Sequence, residues 1–145
     1  MAATTFGKTI RGTSKSETLL GTTGNDTIYS GGGSDFLNGG SGSDTYIFSG
    51  SVSGYSTFKD SGSSGWDLVR ASASGTQIGL ASGFGSASGI EEISSGGRSN
   101  VKIVGGSSAD VWSFSATKLT GISMIDAGAG NDTVTGSTGN DTIKG

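Results

Sequence analysis

The chain has 145 residues, the length of one ordinary domain. It contains 29 glycines, 27 serines and 17 threonines, whereas leucine, isoleucine, valine and phenylalanine together contribute only 28 residues. This apolar share lies at the lower limit for a conventional hydrophobic core, and a net charge of −3 is too small to indicate charged disorder. A chain of this composition therefore needs a structural repeat in order to fold.

The missing residue types exclude several classes of function. The sequence has no cysteine and no histidine, which excludes disulfides, thiolate nucleophiles, zinc centres built on those residues, and Ser-His-Asp hydrolases. Nine basic residues are scattered among twelve acidic ones without forming a stripe, so we expect no nucleic-acid partner. No apolar run approaches the roughly 18 residues of a transmembrane segment, so we expect no membrane span.

A nine-residue repeat runs through residues 8–48. An apolar residue returns at every ninth position, namely Ile10, Leu19, Ile28, Leu37 and Tyr46. An aspartate lies two positions before it in the last three copies (Asp26, Asp35 and Asp44), and a glycine lies two positions before each aspartate (Gly24, Gly33 and Gly42). The pattern predicts a six-residue glycine-rich turn followed by a three-residue strand. Two copies would make one 18-residue turn of an all-β fold, a parallel β-roll or β-solenoid.

Residues 49–122 lose this frame but keep short apolar pieces between glycine- and serine-rich turns, for example at 66–69 and 101–104. We interpret them as longer, irregular spacer rungs of the same solenoid. The alternative is a small β-sandwich between two roll fragments.

The frame returns at residues 123–145, with Ile125, Val134 and Ile143 at the apolar position and Asp132 and Asp141 two positions earlier. We therefore predict a single β-solenoid domain over 1–145, with repeats at 8–48 and 123–145. Because the sequence stops inside a repeat, we expect the chain to be a piece of a longer array.

The aspartate spacing predicts a metal site. Asp26 and Asp44 are one 18-residue turn apart, and Glu17 and Asp35 stand in the same relation on the opposite edge, so like charges would lie one above the other. Stacked carboxylates require a cation between them. Carboxylates together with turn carbonyls make an irregular all-oxygen shell, which suits Ca²⁺ better than Mg²⁺.

The segments TGNDTIYSGGGSDFLNGGSGSDTYIF (23–48) and AGAGNDTVTGSTGNDTI (127–143) resemble the nonapeptide GGxGxDxUx of RTX, or haemolysin-type, proteins. The resemblance implies that the aspartates and nearby turn carbonyls bind calcium between turns of a β-roll, with Gly24, Gly33, Gly40 and Gly42 in those turns. It also implies type I secretion and folding outside the cell, hence an extracellular or cell-surface location.

Four positions depart from the repeat pattern. Glu17 replaces aspartate, and Lys15 occupies its turn where glycine is expected, which weakens the proposed Glu17–Asp35 site. Asp132 and Asp141 have no acidic partner 18 residues earlier, since those positions hold Phe114 and Ser123.

Other residues are interpreted as structural. We interpret Asp67 and Asp110 as turn caps, and the alternative is that they are degenerate copies of the repeat aspartate. Glu91 and Glu92 are interpreted as part of a solvated strand face, with one carboxylate in solvent and the other facing inward or along an edge. Six aromatic residues are interpreted as core rather than as a sugar-stacking platform. They are Trp66, Trp112, Tyr29, Tyr46, Tyr55 and Phe48.

The sequence thus predicts a calcium-binding structural module of a secreted bacterial protein, without enzyme activity of its own. The alternative is a module that binds a polysaccharide or a cell surface on the same solenoid. Less favoured is a part of a lyase- or epimerase-type enzyme, and the parent protein could be an enzyme.

Overall fold

The computed structural model describes residues 6–62 and 64–145, so residues 1–5 and Ser63 of the predicted 1–145 solenoid lie outside the described residues. Apart from one 3-10 turn at Ser86–Ser88, the described residues form strands and the turns between them. The strands are β1 (Thr9–Arg11), β2 (Thr18–Thr22), β3 (Thr27–Tyr29), β4 (Phe36–Gly40), β5 (Thr45–Phe48), β6 (Thr57–Phe58), β7 (Leu68–Ala71), β8 (Gln77–Gly79), β9 (Glu92–Ser94), β10 (Lys102–Val104), β11 (Val111–Ser113), β12 (Lys118–Thr120), β13 (Met124–Asp126), β14 (Thr133–Thr135) and β15 (Ile143–Lys144).

Every strand pair among the described residues is parallel. The strands pair with strands of adjacent turns rather than with their neighbours in sequence. The predicted parallel β-solenoid is therefore confirmed. The β-sandwich alternative is wrong, because a sandwich is built from antiparallel strands.

The first face of the solenoid is a six-stranded sheet in the order β1-β3-β5-β7-β9-β12, with one strand from each turn. Ile10 pairs with Ile28, and Ile28 pairs with Tyr46, so the first two turns have the predicted 18 residues. The later turns are longer: Asp44 and Asp67, at equivalent places in successive turns, are 23 residues apart. The nine-residue frame is thus confirmed for the first turns. The sequence loses this frame after residue 48 because the later turns of the same solenoid are longer.

The solenoid changes from two faces to three along its length. The first turns have a second face made of β2, β4 and β6. From β8 onward a further face appears in the order β8-β10-β13-β15, and β11 pairs with β14. Residues 83–84 lie beside β11, since the Gly83 amide donates to Val111 O and the Ser113 amide donates to Phe84 O. β8 adds a strand to the turn between Asp67 and Glu91, which has 24 residues.

The core is a narrow column of apolar side chains between the faces. Ile28, Leu37, Tyr46, Val69 and Ile93 are fully buried. Phe58, Phe84 and Phe114 continue the column through the wider turns, with ring centroids 6.2 Å and 5.3 Å apart. This stacking holds the turns in register and thereby fixes the positions of the carboxylates at the turn corners.

Candidate metal centre

A column of carboxylates follows the corner that precedes the first face. The amide of Asp26 donates to Asp44 Oδ1 at 2.7 Å, the amide of Asp44 donates to Asp67 Oδ1 at 2.7 Å, and the amide of Asp67 donates to Glu91 Oε2 at 2.6 Å. The amide of Lys8 donates to Asp26 Oδ1 at 2.5 Å. We call Asp26, Asp44, Asp67 and Glu91 the first carboxylate column. Each of its acids bridges its own turn to the turn before.

The first carboxylate column corrects one interpretation. Asp67 was expected to be a turn cap, but its carboxylate lies in line with that of Asp44. Glu91 also lies in this line, and it is the edge-facing member expected of the pair Glu91 and Glu92. The fixed 18-residue spacing could not find them, because Asp67 follows Asp44 by 23 residues and Glu91 follows Asp67 by 24. For Asp67 the available signal was a turn-like sequence ending in an aspartate just before a strand, GSSGWDLV at 62–69.

A second column lies on the opposite edge. The amide of Glu17 donates to Asp35 Oδ1 at 3.0 Å, as the predicted Glu17–Asp35 relation requires. Glu17 Oε2 accepts the amide of Thr13 within its own turn, and the amide of Asp35 donates to the Ser56 hydroxyl at 3.3 Å. The second column therefore ends in a hydroxyl, and carries two carboxylates.

The C-terminal repeats contain a carboxylate pair that the sequence spacing missed. The amide of Asp110 donates to Asp132 Oδ1 at 2.9 Å, across a turn of 22 residues. Asp132 therefore has an acidic partner one turn back, and the assignment of Phe114 to that place was wrong because it assumed 18 residues. Asp141 accepts the amide of Ser137 at 2.6 Å and the Ser137 hydroxyl, all within its own turn.

The glycines of the turns allow the columns to form. The backbone φ angle is 88° at Gly33, 99° at Gly40 and 111° at Gly42, in the left-handed region that favours glycine. The backbone at Gly24 lies outside this region, so its conformation does not require glycine. A Cβ on Gly42 would lie 2.9 Å from the carbonyl oxygen of Gly24 in the turn before. The carbonyls of Gly24, Gly33 and Gly42 accept no hydrogen bond from the described residues. These carbonyl oxygens are therefore available as metal ligands next to the carboxylates.

Burial of the carboxylates is not compensated by positive side chains. Asp26, Asp35 and Asp44 are buried. Among residues 6–62 and 64–145, the ion pair found is Lys144–Asp126, which lies elsewhere. Asp35 Oδ2 and Asp44 Oδ2 are buried and have no hydrogen-bond partner among these residues. An unpaired buried carboxylate oxygen is costly in free energy, and a cation would satisfy it.

The electrostatics follow from this burial. Burial raises the pKa of Asp44 to about 6 and the pKa of Asp67 to about 7. Nearby acids raise both pKa values further, whereas a hydrogen bond from a backbone amide lowers each of them. Burial also raises the pKa of Asp35, against the hydrogen bond from the Glu17 amide. The column therefore favours carboxylates that are protonated or bound to a cation over carboxylates whose charge is not neutralised.

One cluster extends the first carboxylate column sideways. Asp44, Asp60 and Asp67 each place a carboxylate oxygen within 4.8 Å of the others. Asp60 was not singled out by the sequence, because it lies outside the nine-residue frame. The cluster could hold an ion, and its donors are oxygen atoms, the ligand type that hard cations such as Ca²⁺ prefer.

The aromatic residues divide between core and surface. Tyr46, Phe48 and Trp112 are buried, Tyr29 and Tyr55 are partly buried, and Trp66 is exposed. The core interpretation is therefore correct for the first three and wrong for Trp66. The buried members cannot contribute to a sugar-stacking platform.

Comparison with known proteins supports calcium as the ion. Residues 11–46 and 120–145 match the family model for the RTX calcium-binding nonapeptide repeat, in four copies. No curated protein and no solved structure matches the chain. None of the described residues belongs to a helix with the length and apolar character needed to cross a bilayer. The match, together with the parallel solenoid, fits an RTX nonapeptide-repeat β-roll module.

Proposed function

We propose that this chain is a structural module that folds into its complete β-roll when calcium binds, outside the cell that makes it. The observation that carries the proposal is the first carboxylate column, in which buried acids lie on successive turns and Asp44 Oδ2 has no hydrogen-bond partner within residues 6–62 and 64–145. The module needs no catalytic group for this role.

The proposed ligands are the repeat carboxylates and the turn carbonyls beside them. They are Asp26, Asp35, Asp44, Asp132, Asp141 and Glu17, with the turns that contain Gly24, Gly33, Gly40 and Gly42. Bound calcium supplies positive charge and satisfies the buried oxygens, while the chain's own residues fix the turns by amide-to-carboxylate hydrogen bonds. We propose the layout given by the sequence, with repeat blocks at 8–48 and 123–145 and spacer turns at 49–122.

The charge balance explains why folding would depend on calcium. Two unit charges about 5 Å apart repel by ~3 kcal/mol at an effective dielectric constant of about 20. A domain has only about 5–15 kcal/mol of net stability. Calcium at about a hundred times its dissociation constant stabilises the folded chain by about 2.7 kcal/mol per site. Low calcium inside a cell and high calcium outside would then favour export of the unfolded chain, as in type I secretion, followed by folding.

Far-ultraviolet circular dichroism tests this function. Strand content of the metal-free chain should rise as calcium is added, and rise much less with the same concentration of magnesium. Partial structure without metal fits the proposal, because the apolar column of the spacer turns persists. A fully folded spectrum in excess chelator that calcium does not change would contradict it.

A further inference from the structure

Asp60 lies outside the repeats but next to the first carboxylate column. It follows β6, and its backbone amide donates to the carbonyl of Ser88 at 3.0 Å. Its Oδ2 accepts the Tyr46 hydroxyl at 2.7 Å, and its Oδ1 accepts the amide of Gly62 at 2.9 Å. The side chain is thus held in one orientation, and it is only 8% exposed.

This orientation places Asp60 against two buried acids. One oxygen each of Asp44, Asp60 and Asp67 lies within 4.8 Å of the other two. Asp44 is 0% exposed and Asp67 is 5% exposed. No lysine or arginine forms an ion pair with any of the three within the part of the chain that the structure describes. The negative charge here is more concentrated than in a two-carboxylate pair.

Asp44 Oδ2 gives a second, independent observation. It is buried and accepts no hydrogen bond from any residue that the structure describes. It lies against Gly39, since a Cβ on Gly39 would be only 2.1 Å from it. The amide of Gly39 donates to the Tyr46 hydroxyl at 2.6 Å, and this hydroxyl in turn donates to Asp60. The unsatisfied oxygen therefore lies on the side of the column where Asp60 is found.

We propose that Asp60 is a ligand of a calcium ion that it holds together with Asp44 and Asp67. The inference rests on the proposed function and deepens it, because it adds a ligand from outside the nonapeptide repeat. The ion would lie where the roll passes from two faces to three, between β6 and β7. Three carboxylates make this site more negative than a repeat pair, so it should fill first as calcium is added. Tyr46 positions Asp60 and does not bind the ion.

Isothermal titration calorimetry with calcium chloride on the full chain tests the proposal. Asp60→Asn keeps the side-chain size but removes the charge, and it should lose the tightest calcium site or weaken it at least tenfold. Asp126→Asn is the matched control, since Asp126 is the acid paired with Lys144, and it should bind calcium as the wild type does. Circular dichroism in excess calcium verifies that each variant is folded.

Tyr46→Phe separates a ligand from a structural partner. It removes the hydrogen bond to Asp60 but leaves all three carboxylates. The tightest site should survive in Tyr46→Phe, weakened less than in Asp60→Asn. Equal loss in the two variants would overturn the proposal, because Asp60 would then act only by bonding to Tyr46. A folded Asp60→Asn chain with wild-type calcium binding would overturn it as well.

A measurement on the wild type covers the case in which Asp60→Asn does not fold. The amides of Gly62 and Gly128 both donate to the Oδ1 atom of an aspartate two residues earlier, Asp60 and Asp126. When lanthanum replaces calcium in the folded chain, a bound carboxylate meets a higher charge, so the Gly62 amide resonance should shift and that of Gly128 should not. An unshifted Gly62 resonance would overturn the proposal. A wild-type chain that binds no calcium at all would instead refute the proposed function, and the inference with it.

Discussion

The backbone amide of Asp44 donates to Asp67 Oδ1 at 2.7 Å, so the carboxylate of one turn fastens the backbone of the turn before it. Asp26 has the same relation to Asp44, and Asp67 has it to Glu91. A carboxylate that accepts an amide from the adjacent turn holds the spacing between turns. The same atoms carry the charge that calcium would neutralise, so spacing and charge are coupled along the column.

Asp44→Ala should lower calcium affinity more than Asp141→Ala. Asp44 has acids on both adjacent turns and an unpartnered buried oxygen, whereas Asp141 accepts hydrogen bonds from Ser137 of its own turn. Because loss of even an outer partner of a metal typically costs about 10–100-fold in affinity, we expect at least a tenfold loss for Asp44→Ala. Calorimetric titration of the two variants checks this. Equal losses would show that stacking of acids does not set affinity here.

The repeats were the predictable part of this molecule, and the spacer turns were not. Ile10, Ile28 and Tyr46 stack as their spacing predicts, because an apolar residue every nine positions leaves only one inward register for short strands. The spacing says nothing about how many strands a longer turn contains. β8 is such an added strand, and the third face that begins with it could not be deduced from the spacing.

The same limit applies to the site. Asp26, Asp35 and Asp44 could be placed on their edges because they lie in equal-length turns. Asp67, Asp60 and Asp110 could not, since their positions depend on turns of 22 or more residues whose path is set by packing of Phe58, Phe84 and Phe114. Local sequence marks such aspartates as turn residues; only the tertiary stacking brings them to another carboxylate.

Without metal, the chain should be more stable at pH 5 than at pH 8. The pKa of Asp44 is raised to about 6 and that of Asp67 to about 7, above the roughly 3.9 of an unfolded aspartate. The folded chain therefore binds protons more tightly than the unfolded chain. This contribution is fully present below about pH 4 and is lost as pH rises through 6 and 7. Urea unfolding in metal-free buffer measures it.

Two results bear on this pH dependence. Asp44→Asn combined with Asp67→Asn should flatten the profile between pH 5 and 8, because both titrating groups are gone. Saturating calcium should reverse the wild-type profile, since a protonated carboxylate is a poor ligand. Metal-free stability that rises from pH 5 to 8 would contradict the raised pKa values.

Gly39→Ala should destabilise the chain by crowding alone. A Cβ at Gly39 would lie 2.1 Å from Asp44 Oδ2 and 2.5 Å from its Cγ. The Asp44 side chain would have to move away from the column, so both calcium affinity and the free energy of unfolding should fall. Gly85→Ala is the matched control: Gly85 is extended, with φ of −178°, and its nearest atom would be 3.9 Å from the new Cβ.

Thermal melts and calcium titrations of the two glycine variants check that expectation. Gly85→Ala should keep both values of the wild type. If Gly39→Ala also bound calcium as the wild type does, the position of Asp44 in the column would not matter for the ion.

Phe84→Ala should reduce the free energy of unfolding by about 3–5 kcal/mol, the usual cost of removing a buried aromatic ring. Phe84 packs between Phe58 and Phe114 and connects the narrow turns to the wide ones. Phe6→Ala makes the same substitution at a side chain that is 81% exposed, and should change stability by no more than about 0.5 kcal/mol. Urea unfolding in saturating calcium compares them. Similar losses in both variants would mean that the aromatic stack does not support the core.

Replacing both Asp26 and Asp44 by asparagine distinguishes a column that needs calcium from one that only caps turns. Two buried charges on successive turns repel by ~3 kcal/mol at an effective dielectric constant of about 20, and asparagine removes this repulsion while its amide oxygen still accepts a hydrogen bond. The metal-free double variant should therefore be more stable than the metal-free wild type, and the calcium response of this edge should disappear.

Hydrogen exchange on residues 20–48, with and without chelator, measures both effects. In the wild type, protection there should rise with calcium; in the double variant it should be high from the start and independent of calcium. Protection that ignores both calcium and the double substitution would leave these aspartates as turn caps, and the calcium-binding role of the column would have to be abandoned.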